Sequence, residues 1–429
     1  MKKILTTILA GTMVAGAAFA VDAKIALNFR SRLDAFSQVT HDNGAKELTS
    51  RNWMNWNGYA GASSDNFDFR LDGERAGARL TWAINTGDGL INKCKQYTAW
   101  MNFPIGPGVL TLETGKWGDG YVDGNYRVKK DVDAMNAEGL DFERFKLGTI
   151  LAGSTSFKFV DDLSNNGQGY LSGFASYKFG VTDDISFNIT VGGVSNTGFD
   201  SVTDDDTTSN WKSALSSRVQ FGMKGLLNAE LIYKKYAPGY NTFALYVMPQ
   251  ILDALTLNVG GAVETFNGKG GKDESVDWAV DLRVRYQVMD PFSITFYTNV
   301  SGTDLDKGRK IANSVVGYGD NQSDYGKGGY ATSTSFKTAM WNQLGLRYKI
   351  NDLLTATLNL GLITPLAKAK NDDNSYSPEW RVVPAVQIYA ASNASIWAGV
   401  ALSGASWEDG SADKSTFAVN VPVIFRVKM

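Results

Sequence analysis

Val276-Asp277-Trp278-Ala279-Val280-Asp281-Leu282-Arg283-Val284-Arg285-Tyr286-Gln287-Val288 alternates apolar and polar residues along its length. Successive side chains of an extended chain point to opposite sides. One face of this segment therefore carries Val, Trp, Val, Leu, Val, Tyr and Val, and the other carries Asp, Ala, Asp, Arg, Arg and Gln. A strand this long, with one face greasy and one charged, matches what a tilted crossing of a bilayer requires. The same period recurs in Ala76-Gly77-Ala78-Arg79-Leu80-Thr81-Trp82, Ile185-Ser186-Phe187-Asn188-Ile189-Thr190-Val191 and Leu354-Thr355-Ala356-Thr357-Leu358-Asn359-Leu360.

Working outward from these segments, the connections alternate in length. Short links rich in Gly, Pro, Asn and Asp fall at Pro104–Gly108, Gly180–Asp184, Lys224–Asn228, Pro249–Asp253, Met289–Pro291, Asn351–Asp352 and Ala391–Asn393, residues suited to tight turns. Between them lie the long polar stretches Ser37–Asp65, Trp117–Asn136, Ser195–Trp211, Ser301–Ser335 and Thr364–Pro378. One rim of the sheet is thus expected to carry turns and the other loops, as in outer-membrane barrels with periplasmic turns and extracellular loops. Counting strands from both ends predicts an all-β fold, a transmembrane antiparallel β-barrel of 18 strands, with 16 or 20 as near neighbours because Phe142–Ile150 and Thr155–Val160 can be read as strand or loop.

The chain begins with Lys2 and Lys3, an apolar run from Ile4 to Phe19 and a small-residue close at Ala18-Phe19-Ala20. This reads as a signal peptide over residues 1–20, followed by a single barrel domain over 21–429. The lone cysteine, Cys94, rules out an internal disulfide framework. With 42 basic and 44 acidic residues, no charge excess invites nucleic acid. Aromatic residues in the apolar phase form two expected girdles, where amphipathic rings sit best in the headgroup layer. Phe179, Tyr286, Phe292, Tyr348 and Phe425 stand near the short turns, and Trp82, Trp278, Trp380 and Phe417 near the long loops.

The chain ends Phe417-Ala418-Val419-Asn420-Val421-Pro422-Val423-Ile424-Phe425-Arg426-Val427-Lys428-Met429. This resembles the closing strand of outer-membrane barrels, with Met429 where that family usually ends in Phe, and over the mature chain the pattern resembles general porins. The resemblance implies recognition by the barrel-insertion machinery, a boundary of outer-membrane lipids, and passage of small hydrophilic solutes or ions. It leaves open whether the barrels associate as homotrimers.

In such a barrel the polar phase lines water. Arg30, Arg32, Arg70, Arg79 and Arg426 fall in that phase on strands that closure makes neighbours, an arrangement similar to the basic ladder of general porins; pairing with Asp34 and Asp68 is the plainer alternative. Arg283, Arg285, Arg347 and Arg381 share the phase elsewhere. The stretch holding Asp119, Asp123, Asp131, Asp133, Glu138, Asp141 and Glu143 is the expected inward-folded constriction loop. The one histidine, His41, sits in a polar stretch beside Asp42, which speaks against hydrolytic chemistry needing an imidazole. Asp119-Gly120-Tyr121-Val122-Asp123-Gly124 puts Tyr121 where a calcium loop needs an oxygen ligand, so no metal or other cofactor is expected, and no enzymatic activity. The alternative reading is a surface adhesin or structural barrel binding ligands through its long loops.

Overall fold

The computed structural model describes residues 22–48, 51–54, 66–83, 93–116, 170–196, 213–235, 240–268, 273–311, 315–316, 329–331 and 333–428. Its elements among these are β-strands: β1 (Asp22–His41), β2 (Lys46–Leu48), β3 (Arg51–Met54), β4 (Asn66–Asp72), β5 (Ala76–Ala83), β6 (Lys93–Ile105), β7 (Gly108–Lys116), β8 (Tyr170–Gly180), β9 (Ile185–Asn196), β10 (Ser213–Met223), β11 (Leu227–Lys235), β12 (Tyr240–Pro249), β13 (Leu255–Phe266), β14 (Ser275–Met289), β15 (Phe292–Thr303), β16 (Arg309–Lys310), β17 (Ser335–Lys349), β18 (Leu354–Lys368), β19 (Glu379–Ala391), β20 (Ala394–Gly399), β21 (Ala401–Asp409) and β22 (Ala412–Lys428). All belong to one 22-stranded sheet. The expected signal peptide and the acidic stretch from Asp119 to Glu143 lie outside the described residues.

Neighbours in sequence pair antiparallel from β4 through β15, then β15 with β17, β17 with β18 and β18 with β19. The interrupted strand β20–β21 lies between β19 and β22. β1 then pairs with β4 on one side and with β22 on the other, from Asn28↔Lys428 to His41↔Thr416. Among the described residues the ladder of pairings therefore returns to its first strand. A bulge between Asp34 and Phe36 inserts one residue into β1. It switches the side-chain phase, so that Leu33 and Phe36 are both exposed while Ser37 is buried.

The two faces have opposite characters, and the burial is inverted relative to a water-soluble sheet. On β14, Val280 is 52% exposed and its neighbour Asp281 only 6%. The outward apolar phase continues across strands by register, through Leu110, Tyr177, Ile189, Val219, Leu231 and Leu245. The inward phase carries Glu230, Asp277, Arg283, Asn299 and Gln343, all buried.

Several connections depart from expectation. The stretch Ser37–Asp65 is partly strand, because β1 runs on to His41 and β2 and β3 fold back onto β1. The stretch from Thr364 is partly strand too, since β18 continues to Lys368. The largest departure is the connection from β15 to β17. The sequence places it outside the barrel, yet Ile311, Val315, Val316, Tyr330 and Ala331 are buried against Tyr297, Ala339, Trp341 and Ile363 of the inward phase. Apolar residues on the inner wall give this connection a surface to cover, and burial of apolar area favours docking over exposure.

Candidate pore lining and constriction

The inner wall is a hydrogen-bonded mosaic. Asn188 donates to Gln220 (3.0 Å), and Gln220 donates to the Glu230 carboxylate (2.8 Å). The three stand opposite one another on β9, β10 and β11. The Thr242 hydroxyl donates to Glu264 (3.0 Å), and the Tyr297 hydroxyl donates to Asp281 (2.9 Å). Charged groups taken out of bulk water need such partners, because an unpaired buried charge costs several kcal/mol.

The arginines named from sequence fall into two groups. In the first, register sets Arg30 opposite Arg426 and Arg70 opposite Arg79, with Lys24 on the far side of Arg70. The side chains of Arg30 and Arg32 are not described. Arg79 forms an ion pair with Asp68 at 2.6 Å, and Arg70 with Asp72 at 2.7 Å. Lys24 joins Asp72 at 3.2 Å, and the Arg70 guanidinium lies 5.4 Å from the Trp100 ring centre. The charge of this sector is thus partly compensated by its own carboxylates.

The second group lies on β14, β17 and β19. Arg283 is 1% exposed, with its guanidinium 4.7 Å from the Tyr297 ring centre and 3.8 Å from Asp281. Arg381 shares its row, reached through Tyr297, Gln343 and Gly361. Arg285 stands one row nearer the short turns, opposite Thr295. Arg347 donates to the Tyr389 hydroxyl (2.9 Å). Sequence reading missed Arg218, buried in the inward phase of β10, although the alternation Arg218-Val219-Gln220-Phe221 carries the signal.

Of the aromatic rings named from sequence, Tyr286, Tyr348, Trp380, Phe417 and Phe425 are exposed on the outward phase. Phe179, Trp278 and Phe292 are half-buried, and the side chain of Trp82 is not described. Near the long-loop rim, Trp380 and Phe417 meet with ring centres 6.1 Å apart. At the short-turn rim Phe179 stacks between Tyr177 and Phe187, at 5.2 and 5.6 Å, and Phe187 continues to Phe221 at 5.2 Å. Those three companions went unrecognised because each alone is an ordinary strand aromatic; register makes them a row.

The inward-folded connection is anchored from its start. Arg309 forms an ion pair with Asp277 at 3.3 Å and donates to the Ser275 hydroxyl (3.2 Å). Asp306 accepts from Lys337 (2.8 Å) and Lys370 (2.9 Å) at the long-loop rim. These two ammonium groups lower its carboxyl from 3.8 to about 2. The resulting stabilisation is complete above pH 3.8 and fades only as pH falls through about 2. Farther along, Tyr330 meets Phe336, Tyr376 and Trp407 with ring centres 5.9, 4.9 and 5.8 Å away. Trp341, a buried member of the same cluster, is the seventh residue of β17, roughly 20 Å along the strand at about 3.3 Å per residue. The cluster formed with Ile311, Val315, Val316, Tyr330 and Ala331 therefore reaches well below the start of the strand.

No protein-family model matches the chain, and no curated protein sequence matches it. Among solved structures it is similar to Pseudomonas aeruginosa OpdL, with 10% identity over 95% of this chain and 99% of that one and a TM-score of 0.48. It is also similar to P. aeruginosa OccK2 (OpdF), solved in complex with glucuronate, with 12% identity over 95% and 98% and a TM-score of 0.47. A third is the outer membrane protein OpdK of the same organism, with 10% identity over 95% and 99% and a TM-score of 0.42.

The ion pairs of the first arginine group set up a measurable consequence. Replacing Arg70 and Arg79 together by Gln leaves Asp68 and Asp72 without their guanidinium partners, so the zero-current potential in a salt gradient is expected to move towards cation preference. The shift should shrink at 1 M salt, where screening reaches only about 3 Å. An unchanged potential at low salt in a conducting variant would place this sector away from the ion path.

Proposed function

We propose that this chain is an outer-membrane porin, a water-filled channel for passive diffusion of small hydrophilic solutes or ions. The observation that carries the reading is the inverted burial: apolar side chains outward and exposed, polar and charged ones inward and hydrogen-bonded. In this reading β20 and β21 are one strand interrupted at Val400, and the short pieces β2, β3 and β16 belong to the loops, which leaves the 18 staves the sequence predicts. The short turns, such as Asp290-Pro291, face the periplasm, and the long connections face outward. Residues 1–20 are removed on export, and 21–429 form one transmembrane domain bounded by outer-membrane lipids. No catalytic step is assigned.

The test is conductance of the refolded protein in a planar bilayer under a salt gradient. Discrete, ohmic single-channel steps are expected. Insertion without steps would favour an adhesin or structural barrel instead.

A further inference from the structure

Beyond the anchors at its start, two described stretches of the connection between β15 and β17 converge on one carboxylate. Glu379 is the first residue of β19, faces inward and is 0% exposed. One of its oxygens accepts the backbone N–H of Val315 (3.2 Å), and the other accepts that of Ala331 (2.9 Å). Two separate stretches of the connection thus meet on one side chain. Carboxylate-to-amide bonds are charge-assisted and roughly twice as strong as neutral ones, and here they are sheltered by the apolar cluster of Val315, Val316, Tyr330 and Trp341. Loss of the carboxylate would leave two buried amide donors unsatisfied. No sequence motif marks Glu379, which directly follows the polar stretch Thr364–Pro378.

We propose that Glu379 is the positioning residue that holds this connection in the lumen and so sets the width of the passage. The proposal rests on the porin reading and deepens it by naming what forms the constriction. Glutamine at this position has one acceptor oxygen and turns its own amide donor towards the second N–H. The bidentate hold is lost with almost no change in shape. Proline at Val315 or Ala331 removes a donor from the other side, since proline has no N–H, without altering any residue of the main barrel strands.

The experiment compares wild type with Glu379→Gln, Glu379→Ala, Val315→Pro and Ala331→Pro by single-channel conductance, by open-channel noise and by the size cut-off for neutral polyols in liposome swelling. Retention of the folded, heat-modifiable band on gels reports that each barrel is intact. Conductance is expected to rise at least about twofold, or to flicker between two levels, with a larger polyol cut-off, in the glutamine variant and in at least one proline variant. Unchanged conductance and cut-off in folded Glu379→Gln overturns the proposal; should that variant fail to fold, unchanged values in both proline variants overturn it equally. A wild-type protein that inserts without conducting overturns the porin reading itself, which separates the two failures.

Discussion

Replacing Leu245 by arginine is expected to cost about 2–4 kcal/mol of folding stability in lipid bilayers. Leu245 is 50% exposed on β12 and lies in register with Leu231 on β11, which shares the outward phase. Both belong to the apolar row that crosses the sheet between the two aromatic rims, so a guanidinium there meets hydrocarbon instead of water. Leu231→Arg should behave alike. Thr111→Arg provides the contrast: Thr111 lies on the inward phase, where its hydroxyl donates to Asn102 at 2.9 Å. Losing that bond costs about 0.5–1.5 kcal/mol, and the introduced charge remains hydrated. Reversible unfolding in urea from bilayers measures all three. A cost below about 0.5 kcal/mol at both leucines would mean that this face does not meet lipid.

Gly308→Ala is expected to detach the start of the inward-folded connection. Gly308 has φ +65°, a left-handed conformation, and a β-carbon built there would lie 2.7 Å from the carbonyl carbon and oxygen of Phe336. The conformation alone costs an L-residue roughly 1–2 kcal/mol. The clash is with backbone of β17 and cannot be relieved by a side-chain rotation, which adds about 1–3 kcal/mol. Together these exceed what the Arg309 ion pair and hydrogen bond supply. The measurement is trypsin cleavage after Arg309 and Lys310, which should accelerate at least tenfold while the barrel keeps its folded mobility on gels. Equal cleavage rates would show that the segment is held by contacts beyond this turn.

The strands were legible because their information is local. Period-two alternation in Val276–Val288 or Ile185–Val191 depends only on neighbouring residues, and the segment Ile185–Val191 falls within β9 (Ile185–Asn196). Turn chemistry was similarly local: Gly106 and Gly225 occupy the expected short turns with φ +57° and +70°. The inward phase of Arg283 and Arg381 followed from the same alternation.

What the alternation could not carry was the destination of the connections. Long polar stretches look the same whether they leave a barrel or enter it, so no local signal marked residues of Ser301–Ser335 as ones that pack on the inner wall. A trace was present in hindsight, since Trp341 and Ile363 are apolar residues in the phase otherwise given to polar ones, and Ile311, Val315 and Val316 are apolar within a polar stretch. Those two sets cover each other only after β15, β17, β18 and β19 have been laid side by side. Alternation in the amino-acid sequence was sufficient for an all-β chain with a greasy and a polar face, because side-chain direction in a strand is set residue by residue. The packing of Ile311, Val315 and Val316 on the inner wall, the carboxylate partners of Arg70 and Arg79, and the two amide bonds accepted by Glu379 were decided by tertiary structure, because each depends on contacts between residues that only the register of the sheet brings together.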